Sequence, residues 1–118
     1  MDIAVEYVNV FVSNFDRAMD FYANTLGLTL NMKDDEFKYA SFSTGGSALA
    51  VVETDDPSLI GRHTGIGFMV KDLDGAYGAL KDIADFRDPP TAQPWGGYMA
   101  MLADPDGNLF YFDQYRPH

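Results

Sequence analysis

The sequence contains no cysteine and few basic side chains. Without cysteine, the chain has no disulfide, no thiolate metal site and no cysteine nucleophile. Only 8 Lys and Arg residues stand against 18 Asp and Glu residues, which gives a formal net charge of −10. This balance predicts that the protein binds neither nucleic acid nor an anionic membrane, whose phosphates are met by basic side chains. A small cationic partner is compatible with it, although most Asp residues fall at predicted turns and helix starts, where they favour solubility.

The sequence also lacks a long hydrophobic run. No segment reaches the roughly 18 consecutive apolar residues that a membrane-spanning helix needs. The N-terminal segment MDIAVEYVNV has no basic region followed by an apolar stretch. We therefore expect a soluble, cytoplasmic protein. A length of 118 residues with 47% hydrophobic side chains predicts one compact domain, residues 1–118.

The chain carries an internal repeat. The segment VSNFDRAMDFY at 12–22 aligns with VKDLDGAYGAL at 70–80 at a shift of 58 residues, which matches Val, Asp and Ala positions and places Asn14 opposite Asp72. A single unit of this size would leave one sheet face exposed, so two copies burying each other is the physical interpretation. The predicted repeats are 1–53 and 64–115, with a linker at about 54–63.

Hydrophobic periodicity predicts the elements of each repeat. In the first repeat, a strand over 3–12 precedes a helix that Asn14 caps and Gly27 ends, and strands follow near 28–33, 37–43 and 47–53. In the second, a strand over 65–70 precedes a helix capped by Asp72, with an apolar stripe at Leu73, Ala76, Tyr77, Leu80 and Ile83. A break at Pro89-Pro90 is followed by strands at 97–103 and 108–114. A DPDG turn joins these strands, with Pro105 at its first central position and Gly107 at positive φ. The predicted class is α+β, with two tandem β-α-β-β-β modules.

These features resemble the vicinal oxygen chelate superfamily. The shared features are the paired modules, each opening with V-x-D/N, a bulky apolar residue and D-x-A, and the segment PWGGYMAMLADPDGNLFYF. That superfamily includes glyoxalase I, extradiol dioxygenases, fosfomycin resistance enzymes and the bleomycin and mitomycin resistance proteins. The resemblance implies curled mixed sheets around a cleft, formed within one chain or across a homodimer. Exposed strand edges also favour a homodimer.

The metal site of the superfamily's enzymes has poor counterparts in this chain. Those enzymes hold a divalent ion with His, Glu or Gln, and the resemblance carries the four positions onto Tyr7, Ala50, Gly65 and Tyr111. The available alternatives are two histidines and three glutamates: His63, His118, Glu6, Glu36 and Glu53. We interpret His63 as a solvated loop histidine, with metal ligation as the alternative, and Glu53 as a surface charge. The sequence therefore predicts no metal and no cofactor.

Strand parity predicts instead a pocket lined by aromatic and methionine side chains, because residues two apart on a strand share a face. The candidate ligand-binding residues are Tyr7, Asn9, Phe11, Trp95, Met99, Met101, Tyr111 and Asp113. Aromatic faces stack on planar ligands and attract cations, and methionine adapts to irregular shapes. The alternative for Tyr7, Phe11 and Met101 is ordinary core packing. Trp95, in a Pro- and Gly-flanked loop, is interpreted as a ligand or dimer contact.

Three functions stay open at this point. The first is a metal-independent protein that binds a hydrophobic, planar or cationic compound, as the bleomycin and mitomycin resistance proteins do, with a link to antibiotic resistance. The second is a glyoxalase-like or dioxygenase-like metalloenzyme with atypical ligands, using His63, Asp113 or a tyrosine as acid or base. The third is a dimeric domain whose own aromatic side chains fill the cleft.

Overall fold

The computed structural model describes residues 1–116, in two compact units that meet in sequence between Ile60 and Gly61. The first unit contains β1 (Tyr7–Val12), α1 (Phe15–Met19) continued by a π-helical turn (Asp20–Thr25), β2 (Thr29–Asp34), β3 (Tyr39–Ser43), β4 (Ala48–Glu53) and a 3₁₀ turn (Pro57–Leu59). The second contains β5 (His63–Val70), α2 (Leu73–Leu80), β6 (Asp85–Ala92), β7 (Tyr98–Ala103) and β8 (Leu109–Gln114). The α+β class and the two β-α-β-β-β modules are confirmed. Within residues 1–116, no helix has both the length and the apolar character needed to span a bilayer.

The two sheets have the same topology. Their strand orders are β1-β4-β3-β2 and β5-β8-β7-β6, with the first pair parallel and the other pairs antiparallel in each sheet. Each parallel pair joins the first and last strands of a module. The helix connects the first strand, at one edge of the sheet, to the second strand, at the opposite edge. The repeat seen in the sequence is therefore also a repeat in strand order.

Each helix packs against one face of its own sheet. In the first unit, the buried side chains of helix and sheet include Val10, Val12, Phe15, Ala18, Tyr22, Phe42 and Val51. In the second unit, they include Leu73, Ala100, Leu102, Phe110 and Phe112. Because alternate strand residues point to opposite faces, burying these side chains directs the intervening ones to the opposite face of each sheet. We call that opposite face the open face.

Both predicted helix caps are confirmed. The Asn14 side chain accepts a hydrogen bond from the Arg17 backbone N–H at 3.0 Å, and Asp72 accepts one from the Gly75 N–H at 3.0 Å. Gly27 follows the π-helical turn at φ +71°, a conformation that ends helices. The chain then turns into β2.

A second device holds each helix start, and it corrects the interpretation of Glu53. The Glu53 carboxylate accepts the Phe15 N–H at 2.8 Å, so this residue caps α1 and is not simply a surface charge. At the matching end of β8, the Gln114 side-chain carbonyl accepts the Leu73 N–H at 2.8 Å. A polar side chain at the end of the last strand thus satisfies the first free N–H of the helix in both modules.

Three predicted element boundaries were wrong. The first strand begins at Tyr7 and not at Ile3, because pairing with β4 begins there, and Ile3 and Val5 are exposed. Helix α2 ends at Leu80, which leaves Ile83 outside it and exposed. The fifth strand begins at His63, within the predicted linker.

The predicted break at Pro89-Pro90 was also wrong, because both prolines lie inside β6. Proline removes a ladder hydrogen-bond donor, so it is tolerated at edge strands and bulges. The sixth strand is one of the two edge strands of its sheet, and its pairing with β7 shifts register between Phe86 and Asp88 and again between Asp88 and Thr91. These irregularities accommodate the two residues without ending the strand.

Candidate ligand-binding site

The open face of the second sheet carries four of the eight predicted ligand-binding residues. Along β8, Phe110 and Phe112 are buried against the helix side, whereas Tyr111 and Asp113 are half-buried on the opposite face. Along β7, Met99 and Met101 are likewise half-buried. The parity prediction therefore describes these two strands correctly.

Cross-strand pairing arranges these side chains in two parallel rows. One row runs from Gly67 through Tyr111 and Met101 to Asp88. The other runs from Met69 through Asp113 and Met99 to Thr91. Each row crosses the whole sheet from β5 to β6.

A cavity of about 570 Å³ lies over the β6 side of these rows. The residues that line it are Asp88, Thr91, Gln93, Trp95, Met99, Ala100, Met101 and Tyr111. Four of the eight predicted ligand-binding residues are thus brought together. Asp113 is not in the lining, although it pairs with Met99 across the β7–β8 ladder.

The loop between β6 and β7 places the single tryptophan at the rim. The Gly96 N–H donates to the Gln93 carbonyl at 3.0 Å, and the Gln93 N–H donates to the Gly97 carbonyl at 2.7 Å. This is a tight hairpin turn with Gly96 at φ +93°, a conformation that a side chain would strain. A Cβ at Gly97 would lie 2.7 Å from the Trp95 indole nitrogen, so the indole folds back over that glycine. Trp95 remains 67% exposed.

His63 is bound to Tyr111 and is not a free loop histidine. Its Nε2 lies 2.9 Å from the Tyr111 hydroxyl, and its Nδ1 accepts the Gly65 backbone N–H at 3.0 Å. A bulge in β5 makes this contact, since the register with β8 shifts between His63 and Gly67. Gly65 takes φ +74° within the bulge.

Asp113 carries an unsatisfied polar atom. Its Oδ1 is buried and has no hydrogen-bond partner among the described residues. A buried oxygen without a donor costs free energy, of the order of 1–3 kcal/mol. A ligand N–H or O–H that reached this oxygen would remove that cost.

The remaining predicted residues lie in the first unit. Tyr7, Asn9 and Phe11 alternate with Val10 and Val12, whose side chains are buried on the helix side. They therefore share the open face of the first sheet, and their role in ligand binding stays a prediction.

The residues at the superfamily's metal positions do not suit a divalent ion. Ala50 and Gly65 have no side-chain donor, and the Tyr111 hydroxyl is hydrogen-bonded to His63. Over residues 1–116, no group of three or more His, Asp or Glu side chains is arranged to hold a metal. His118 lies outside the described residues. This donor set does not match the imidazole and carboxylate ligands that such an ion prefers.

Sequence reasoning missed the β6 wall of the cavity, which Asp88, Thr91 and Gln93 form. Pro89 and Pro90 predict a break at this point, so the sequence pattern does not indicate β6. The repeat itself held the missing signal, because moving β2 by the 58-residue shift predicts a strand at 87–92. His63 was not assigned to the site because the bulge that turns it toward Tyr111 has no clear sequence pattern beyond two glycines.

Comparison with known proteins identifies the family. The model of the Glyoxalase/Bleomycin resistance protein/Dioxygenase superfamily matches residues 4–112. The chain belongs to this superfamily.

Several relatives match over most of its length. A superfamily member from Sphaerobacter thermophilus DSM 20745 is 28% identical, with a TM-score of 0.81 over 97% of this chain and 98% of that one. TnmS3, an antibiotic binding protein from Streptomyces sp. CB03234, is 29% identical, with a TM-score of 0.80 over 98% and 99%. The uncharacterized protein YraH of Bacillus subtilis (strain 168) is 27% identical, over 86% of this chain and 91% of YraH.

Proposed function

We propose that this superfamily member is a metal-independent binding protein for a planar, hydrophobic or cationic small molecule. The observation that carries the proposal is the cavity of about 570 Å³ between Trp95, the two methionines of β7 and Tyr111. Its volume falls in the range of roughly 300–1,000 Å³ typical of small-molecule sites.

The side chains of the cavity suit such a ligand. Met99 and Met101 supply an adaptable apolar floor, and the exposed Trp95 indole offers an aromatic face at the rim. Asp88 adds a negative charge on one wall, and the net charge of −10 attracts cations over longer distances. Both favour a compound that combines a flat apolar body with a positive or hydrogen-bond-donating group.

The likeness to TnmS3 supports the same class of function, because that relative is an antibiotic binding protein. We accordingly propose that the ligand is an antibiotic-like aromatic compound and that its capture protects the cell. A homodimer in the cytoplasm, without nucleic acid or membrane partners, completes this proposal.

A second candidate function is a glyoxalase-like or dioxygenase-like enzyme. The observation that favours it is the 2.9 Å contact between His63 and Tyr111 beside the cavity, because such a pair can move a proton to or from a bound substrate. Among residues 1–116 the superfamily's usual metal has no suitable ligand set, so this candidate would need different ligands.

Calorimetric titration with 9-aminoacridine, a planar cation, tests the binding proposal. We expect Trp95→Ala to weaken binding about tenfold, since it removes an aromatic contact and buried apolar area. Phe37→Ala is the matched control, because Phe37 is also an exposed loop aromatic, at 74% exposure, and lies in the first unit. Binding should be the same in EDTA. Equal affinity for Trp95→Ala and the parent, or loss of binding in EDTA, would contradict the proposal.

A further inference from the structure

We propose that the cavity selects its ligand by where the ligand carries hydrogen-bond donors and acceptors. This inference rests on the proposed binding function. The β8 side, at Tyr111, donates a hydrogen bond, whereas the β6 side, at Asp88 and Thr91, accepts. The ligand class that fits is a planar fused-ring compound with an acceptor oxygen on one edge and an N–H or ammonium group on the opposite edge.

The donor character of Tyr111 follows from the two bonds of His63. The Gly65 backbone N–H points at Nδ1 of the imidazole at 3.0 Å, so Nδ1 must carry a lone pair. A neutral imidazole with a lone pair on Nδ1 carries its hydrogen on Nε2. That hydrogen is directed at the Tyr111 oxygen, 2.9 Å away. The Tyr111 oxygen thus accepts from His63, and its own hydrogen is left to donate into the cavity.

The backbone of the β5 bulge fixes the His63 tautomer that carries its hydrogen on Nε2. The Thr64 hydroxyl donates to the Leu109 carbonyl at 2.7 Å and accepts the Ile66 N–H at 3.1 Å. These contacts, with Gly65 at positive φ, hold the Gly65 N–H in place beneath the imidazole. His63 is therefore a positioning residue, which orients the hydroxyl that contacts the ligand.

The β6 wall accepts at Thr91 and Asp88, because the Thr91 hydroxyl hydrogen is already used and an ionised carboxylate has no hydrogen to donate. The Thr91 hydroxyl donates to the Pro89 carbonyl at 2.7 Å, and the Gln93 side-chain amide donates to the Thr91 carbonyl at 3.0 Å. What these side chains offer to the cavity is the Thr91 oxygen lone pair and, on Gln93, both the carbonyl oxygen and the second amide hydrogen. Asp88 adds a carboxylate, which only accepts when ionised.

The two walls stand at a distance that fits a fused-ring system. Tyr111, Met101 and Asp88 occupy one cross-strand row, two strand spacings from end to end, or roughly 10 Å between backbones. Between them the floor is the apolar Met101 side chain, with Met99 in the next row. A flat apolar body over the methionines, polar at both edges, satisfies all three regions.

Three tricyclic probes of nearly equal shape separate the two edges. Acridone has a carbonyl on one edge and a ring N–H on the opposite edge. Xanthone keeps the carbonyl but replaces the N–H with an ether oxygen, and 9-aminoacridine keeps donors but has no carbonyl. We expect the parent protein to bind acridone about tenfold more tightly than xanthone, because xanthone leaves the acceptors of the β6 wall unpaired. Fluorescence anisotropy reports acridone and 9-aminoacridine directly, and xanthone is measured by competition.

Substitutions in the protein show which edge of the probe contacts which wall of the cavity. Tyr111→Phe should weaken acridone about tenfold and leave 9-aminoacridine unchanged, whereas Asp88→Asn should weaken 9-aminoacridine more than acridone. Tyr39→Phe, on β3 of the first sheet, is the matched control and should change neither. His63→Ala should weaken acridone relative to 9-aminoacridine, because the released Tyr111 hydroxyl can then either donate or accept.

The outcomes separate this inference from the proposed function. If the parent binds all three probes with equal affinity and Tyr111→Phe weakens none, the selection by hydrogen-bond direction is wrong while the binding function stands. If the parent binds none of the three at millimolar concentration, both are wrong. A tenfold preference for acridone over xanthone in the parent, together with a tenfold loss of acridone binding in Tyr111→Phe, supports both.

Discussion

The two sheets of this protein share a frame but differ on their open faces. In both, a side chain at the end of the last strand accepts the first N–H of the helix, Glu53 in one and Gln114 in the other. The matching cross-strand rows differ in size: Asn9, Ala50, Ser41 and Met32 in the first sheet against Gly67, Tyr111, Met101 and Asp88 in the second. Packing against a helix constrains one face of a sheet, and the other face was free to take on different side chains.

The turns that close the two sheets differ in the same way. In the second module the Asn108 side chain is 2% exposed, accepts the Gly61 N–H at 2.8 Å and donates to the Asp104 carboxylate at 2.9 Å. In the first, the exposed Ser47 hydroxyl donates to the Val5 carbonyl at 2.6 Å. Both tie the last turn to the segment before the first strand, but only one does so from a buried position.

The largest effect expected from this contrast is on stability. Asn108→Ala should lower the free energy of unfolding by about 3 kcal/mol, because it removes one hydrogen bond to the buried Asp104 carboxylate and the acceptor of the Gly61 and Arg62 N–H groups. Ser47→Ala, at the matching position, should cost less than about 1 kcal/mol, since water can replace an exposed partner. Urea denaturation followed by circular dichroism measures both. Equal losses would remove the distinction between the turns.

Enlarging the first open face should have the next largest effect. Ala50 is fully buried at the position that Tyr111 holds in the second sheet, so Ala50→Met should overpack it and cost about 2 kcal/mol. Its neighbour Ser41 is only half-buried, and Ser41→Met should cost clearly less. The same denaturation experiment compares them. If Ala50→Met were neutral, the two faces would tolerate the same side chains.

The shared capping device should give similar, smaller effects in both modules. Glu53→Ala and Gln114→Ala each free the first N–H of a helix, and each should cost about 1 kcal/mol. Thermal unfolding of the two variants side by side checks the symmetry. If only one of the two variants lost stability, the capping contacts of the two modules would not be equivalent.

The smallest effect concerns a single surface hydrogen bond. Tyr98 donates to Asp74 at 2.6 Å, and this bond raises the pKa of Tyr98 above its ordinary value of 10.0. The bond therefore stabilises the fold below pH 10.0 and ceases to do so as the pH rises through the folded pKa. Asp74→Asn should return the pKa of Tyr98 toward 10.0, as measured by NMR of labelled tyrosine rings. Asp16→Asn, at the matching position of the first helix, should leave it unchanged.

Features set by local patterns could be predicted from the sequence. The caps at Asn14 and Asp72 and the strand parity of Met99, Met101 and Tyr111 depend on neighbouring residues alone, and the structure agrees with them. The β6 wall could not be predicted in the same way, because Pro89 and Pro90 are compatible with a strand only at an edge, and edge position is set by the whole sheet. The contact of His63 with Tyr111 depends on a bulge, whose position is likewise decided by pairing with another strand.

Methyl NMR of the six methionines tests the central claim most directly, namely that a planar ligand binds in the cavity of the second open face. On titration with 9-aminoacridine, the methyl signals of Met99 and Met101, which line the cavity, should shift strongly from ring currents. The signal of Met32, on the edge strand of the first sheet, should stay in place. Shifts at Met32 without shifts at Met99 and Met101 would contradict the account.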